Sequence, residues 1–176
     1  MGLVGNVSSS LEGLAKTPTV RKILSFLSLN LGSSHEYIAS IPPMNNSLKS
    51  LRLSYRAFDG PDSEYRTIPE CILRYLRSKS AASIRKISLV GISIGTNEVN
   101  VVSHFPLQDL FLKSCSFEAG ALRAFGESDS LQRCLRSLTL RHVGDDATVM
   151  ELVQHTSRFL SLKEIDIKVK ELSKNV

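Results

Sequence analysis

Six short runs of one spacing constrain this chain more than anything else in it. They are Leu24-Ser-Phe-Leu27-Ser-Leu29, Leu48-Lys-Ser-Leu51-Arg-Leu53, Ile84-Arg-Lys-Ile87-Ser-Leu89, Leu107-Gln-Asp-Leu110-Phe-Leu112, Leu135-Arg-Ser-Leu138-Thr-Leu140 and Leu162-Lys-Glu-Ile165-Asp-Ile167. In each, the last two aliphatic residues stand two apart, the period of a strand, so both side chains reach one face. The runs start 24, 36, 23, 28 and 27 residues apart. That is enough chain to cross back and begin a parallel neighbour. A strand this short cannot bury its aliphatic face alone, and recurrence supplies the neighbour that covers it.

The fourth run continues through Lys113-Ser-Cys115-Ser-Phe117 and completes the pattern Leu-x-x-Leu-x-Leu-x-x-Cys-x-Phe. With this the set resembles leucine-rich repeats of the irregular, ribonuclease-inhibitor-like or F-box-associated type. The resemblance implies an α/β solenoid of about six repeats, with parallel strands on a concave face and helices or loops on a convex one. It divides the chain into residues 1–22 as an N-terminal tail with a short capping helix, 23–172 as the repeat array and 173–176 as a tail. Where the family favours Asn or Cys this chain holds Gly32, Arg56, Ile92, Cys115, Val143 and Lys170, so the fourth copy alone is orthodox. The resemblance further implies a non-catalytic protein-recognition module. Such arrays often select substrates for ubiquitin ligases, which suggests an adaptor or substrate-recognition fragment, although no Leu-Pro-x-Glu-Leu-like segment precedes the first run.

Between the runs the periodicity turns helical. Residues 67–76 carry Pro69 at a helix start and Ile68, Ile72, Tyr75 and Leu76 on one face. Asp145 or Asp146 caps a helix that sends Val149, Leu152, Val153 and Thr156 inward. Residues 118–125 predict a shorter helix through Ala121, Leu122 and Phe125, stopped by Gly126 and the polar stretch after it. The valine-rich 97–105 segment predicts a brief helical turn or irregular chain. Residues 1–10 read as a loose polar end, 11–16 as a short helix, and 33–47 and 55–64 as loops. The last of these is the extra length in the 36-residue spacing. The short stretch after Ile167 predicts that a partner, or a longer array, covers the last repeat.

Composition narrows function by exclusion. Aromatic residues make up 6% of the 176 and there is no Trp, so the core is aliphatic. A net charge of +5 attracts acidic partners, but Lys and Arg are spread without a dense run. Three cysteines, Cys71, Cys115 and Cys134, leave at least one unpaired and lack paired metal-ligand spacing, which points to a reducing cytoplasmic or nuclear setting. Nowhere do about 18 apolar residues run together, so no membrane partner is predicted.

Aligning the six runs places two outward rows side by side. One is Ser28, Arg52, Ser88, Phe111, Thr139 and Asp166; the other is Asn30, Ser54, Val90, Lys113, Arg141 and Lys168, with His142 beside Arg141. Together with Lys86, these rows give the candidate partner-binding residues Arg52, Lys86, Phe111, Lys113, Arg141, His142, Asp166 and Lys168. A basic ridge beside an aromatic anchor suits a protein with an acidic segment, bound without metal or small-molecule cofactor. An ordinary solvated face, balanced by Asp109, Glu164 and Asp166, fits the same residues equally well.

Two other readings compete. Gly91-x-Ser93-x-Gly95 follows a strand and looks like the nucleophile elbow of a serine hydrolase, with Asp145 or Asp146 and then His155 in the required order. Against it, acid and base would share one helix, and too little chain separates them from the serine. Nucleic-acid binding ranks third, having charge but neither aromatic interleaving nor a basic recognition helix. His35, His104, His142 and His155 show no metal-ligand spacing.

Overall fold

The computed structural model describes residues 2–6, 25–31, 48–55, 67–77 and 82–168. In chain order its elements are β1 (Gly2–Asn6), β2 (Phe26–Asn30), β3 (Ser50–Ser54), α1 (Glu70–Arg77), β4 (Lys86–Val90), β5 (Ser93–Ile94), α2 (Thr96–Val102), β6 (Asp109–Lys113), β7 (Ser116–Phe117), α3 (Ala121–Gly126), α4 (Asp129–Cys134), β8 (Ser137–Arg141), α5 (Asp146–Thr156) and β9 (Glu164–Lys168). The fold is mixed α/β. A seven-stranded sheet runs β1-β2-β3-β4-β6-β8-β9, with every neighbouring pair parallel.

Register makes the aliphatic positions of the six runs equivalent. Leu27, Leu51, Ile87, Leu110, Leu138 and Ile165 are successive partners, and so are Leu29, Leu53, Leu89, Leu112, Leu140 and Ile167. Both lines are buried as far as β8. Each buried aliphatic residue contributes about 1.5–3 kcal/mol. In the second to fifth runs the first aliphatic residue, Leu48, Ile84, Leu107 or Leu135, is fully buried just before its strand rather than within it.

The ends of the strands repeat the same bonds. Ahead of each strand, the amides of Lys49, Arg85, Gln108, Arg136 and Lys163 donate to the carbonyls of Ser25, Lys49, Arg85, Gln108 and Arg136. Past each strand, the amides of Leu31, Tyr55, Gly91, Ser114 and His142 donate to the last carbonyl of the next strand, at 2.7–2.9 Å. The last three of these residues adopt left-handed backbone, with φ of 68°, 50° and 54°. Glycine takes that conformation without penalty, whereas Ser114 and His142 are held there by the bond their amides make. One residue later the chain dives inward, and Ile92, Cys115 and Val143 are all buried at this equivalent turning position.

Helices cover the core face, and their starts are set by local chemistry. The Gly95 amide donates to the Glu98 carboxylate at 3.0 Å, which opens α2 despite its three valines. Asp145 accepts from the Thr148 amide at 2.8 Å and caps α5, whose Val149, Leu152 and Thr156 are buried as their spacing predicts. Phe125 of α3 meets Phe159 with ring centroids 5.5 Å apart, joining two neighbouring connections.

Two local expectations fail. Residues 2–6 are an edge strand, not a loose end, because β2 offers them a full line of main-chain partners. The polar stretch after Gly126 opens α4, since the Ser128 hydroxyl accepts from the Leu131 amide and Leu131 is buried. The helix expected at 11–16, the loop at 33–47 and all but Tyr55 of the loop at 55–64 lie outside the described residues, as do Leu24, Gly32, Arg56 and Lys170.

Candidate functional site

The face of the sheet opposite the core carries the rows predicted from the runs. Arg52, Ser88, Phe111, Thr139 and Asp166 are successive partners across β3, β4, β6, β8 and β9, and so are Ser54, Val90, Lys113, Arg141 and Lys168. A third row on this face contains Lys86 and Asp109. Neighbouring positions lie about 4.8 Å apart, so seven of the eight candidate residues share one continuous surface. His142 is the exception. It stands beyond β8 in the left-handed turn and is exposed there.

Electrostatics divides these cations into two kinds. Arg141 Nη2 lies 2.9 Å from Asp166 Oδ2, and its Cζ sits 5.9 Å from the Phe111 ring centroid. Arg141 therefore has a carboxylate on one side and an aromatic face on the other, an arrangement that fixes it between two like charges. Lys86 Nζ reaches Asp109 Oδ2 at 2.7 Å. Arg52, Lys113 and Lys168 are exposed, and among the described residues none of them has an ion pair. Phe111 is half-buried. Two polar atoms near this surface, Ser88 Oγ and Arg141 Nε, are shielded from solvent and have no hydrogen-bond partner among the described residues.

The Gly-x-Ser-x-Gly segment is occupied by structural contacts. Gly91 makes the turn at φ 68°. Ser93, buried in β5, donates its hydroxyl to Glu118 Oε1 at 3.1 Å. A Cβ at Gly95 would stand 2.7 Å from Glu118 Oε2 and 3.0 Å from Glu98 Oε2, so glycine lets the two carboxylates close over the start of α2. The other members of the suggested triad have separate partners. Asp145 binds the Thr148 hydroxyl and amide, which hold its carboxyl below the usual range, and His155 Nε2 lies 3.8 Å from Glu151.

Sequence reasoning missed the Ser93–Glu118 bond, and it named Asp166 as a balancing charge without pairing it to Arg141. Both contacts link residues 25 apart, as do Ser54 to Leu29 and Ser130 to Phe105. Donor and acceptor at a shared 25-residue offset were the available signal. Among the described residues no group of three or more His, Cys, Asp or Glu side chains is placed to hold a metal ion, and no helix is long and apolar enough to cross a membrane. Burial pushes the Cys115 thiol up to about 11. In comparison with known proteins, no family model and no curated protein matches the chain.

Proposed function

We propose that this chain is a leucine-rich-repeat solenoid acting as a non-catalytic recognition module, which binds an acidic segment of a protein partner on its outer sheet face. The observation that carries the proposal is the register of Phe111, Lys113, Arg141 and Lys168 on three adjacent strands. Arg141 is committed to Asp166 and Phe111, and so acts as a rigid platform. Lys113 and Lys168 flank it with exposed ammonium groups. A carboxylate laid across this ridge meets two available cations, while the Phe111 ring offers apolar contact beside them. The in-register aliphatic lines and the repeated bonds at both strand ends support the solenoid reading. A reducing cytoplasmic or nuclear setting suits the free thiols of Cys115 and Cys134.

Charge reversal at Lys113 and Lys168 tests the site without disturbing the Arg141–Asp166 pair. The K113E/K168E double variant should lose partners captured by the wild-type protein at moderate salt, while its circular dichroism stays unchanged. Capture identical to wild type would overturn the assignment of this face. Stoichiometric labelling of Ser93 by a fluorophosphonate would overturn the non-catalytic reading.

A further inference from the structure

We infer that the outer edge of β9 is a self-complementary strand, which pairs antiparallel with β9 of a second copy of this chain and joins the two sheets into one. The inference shares only Lys168 with the partner proposed for the sheet face, and K113E separates the two: it should weaken partner capture and leave self-association unchanged. Its starting point is the break in burial at the last strand. Ile165 and Ile167 keep the register of the aliphatic lines but are 42% and 36% exposed, and Leu160, in the turn ahead of β9, is 86% exposed. Among the described residues β9 has one neighbour, β8.

Main-chain direction decides what this edge offers. The Glu164 amide donates to Arg136 and the Lys168 carbonyl accepts from His142, so residues 164, 166 and 168 turn their main-chain groups toward β8. Alternation along a parallel strand then directs the amides and carbonyls of Ile165 and Ile167 outward. Paired about a twofold axis at Asp166, Ile165 of one copy faces Ile167 of the other in a hydrogen-bonded pair, twice over, and four main-chain bonds form.

Side chains match in the same register. On the core face, each Ile165 packs against the other copy's Ile167 and covers the exposed aliphatic surface. On the opposite face, Glu164 of one copy stands opposite Lys168 of the other, again twice, which makes two cross-strand ion pairs. The one unfavourable contact is Asp166 opposite its own copy. Each Asp166 is already bound to Arg141 at 2.9 Å, so the centre of the seam holds two neutralised pairs. An isologous contact of this kind closes at two copies instead of propagating.

The test is sedimentation of the full chain over a concentration series from low micromolar to millimolar. Wild type should associate to a dimer. E164K and K168E alone place like charges opposite one another and should each weaken dimerisation by about tenfold. The E164K/K168E double variant restores opposite charges and should recover wild-type association. Ile167→Pro removes an outward amide without touching the β8 ladder and should give a monomer with wild-type circular dichroism; if that variant does not fold, the charge-swap series decides. A wild-type protein that stays monomeric at millimolar concentration would overturn the inference, and so would a dimer of equal affinity in all the charge variants. Concentration-independent protection of the Ile165 and Ile167 amides against hydrogen exchange would overturn it as well, since the chain's own residues would then cover the edge.

Discussion

Strands β6 and β9 have the same apolar spacing and the same length, yet their aliphatic residues live in different surroundings. Leu110 and Leu112 lie between β4 and β8 and are almost wholly buried, whereas Ile165 and Ile167 have a described neighbour on one side only and stay partly exposed. The lesson is that a five-residue strand in this fold owes its burial to the next strand, and its own sequence merely permits it. Stability should therefore depend on position in the array more than on residue type.

The largest effect expected follows from that contrast. Leu110→Ala should cost about 3–4 kcal/mol in urea unfolding, because the cavity is enclosed on all sides. Ile165→Ala, measured in dilute solution, should cost about 1 kcal/mol or less, because water already reaches the site. Equal costs would break the comparison.

Next in size is a loss of stability in alkali. The Cys115 thiol ordinarily titrates near 9 and is pushed up to about 11 by burial between β6 and β7. Above pH 9 the unfolded chain releases this proton while the folded chain keeps it, so the contribution is complete below that pH and disappears as pH rises through 11. The loss should reach about 2–3 kcal/mol, and Cys115→Ala should flatten it. Tyr75, pushed up to about 12, extends the decline. Thiol reagents at neutral pH should modify half-buried Cys134 well before Cys115.

Smaller effects sharpen the comparison at the turns. Gly91→Ala should destabilise by about 1 kcal/mol, since φ is 68° and the new Cβ would meet the Tyr55 carbonyl at 3.4 Å. Ser114→Gly relieves the same conformation one strand later and should raise the thermal midpoint slightly, by an effect of at most about 1 kcal/mol. If the two substitutions changed stability in the same direction, the equivalence of these turns would fail.

The sheet was largely legible because alternation and recurrence are properties of sequence alone. The runs predicted every strand from β2 to β9 in the main sheet, although each strand begins two residues into its run, and at Leu48, Ile84, Leu107 and Leu135 the residue ahead of the strand enters the core. β1 was hidden: Gly2 and Gly5 have little strand propensity, and its order comes from pairing with β2. α4 was hidden behind polar residues that bury Leu131 alone. In the candidate site, alignment gave the rows but not the pairing within them. The Arg141–Asp166 and Lys86–Asp109 contacts depend on rotamers, which spacing does not encode.

The adjacency of consecutive strands also has a mechanical consequence. The sheet follows chain order and α1, α2, α3 and α5 touch in succession, so among the described residues the first and last strands stand at opposite ends of the sheet. Under tension the chain should peel strand by strand from both edges of the sheet inward at nearly constant force, like a zip and unlike a clasp, with the enclosed strands around β4 the last to yield.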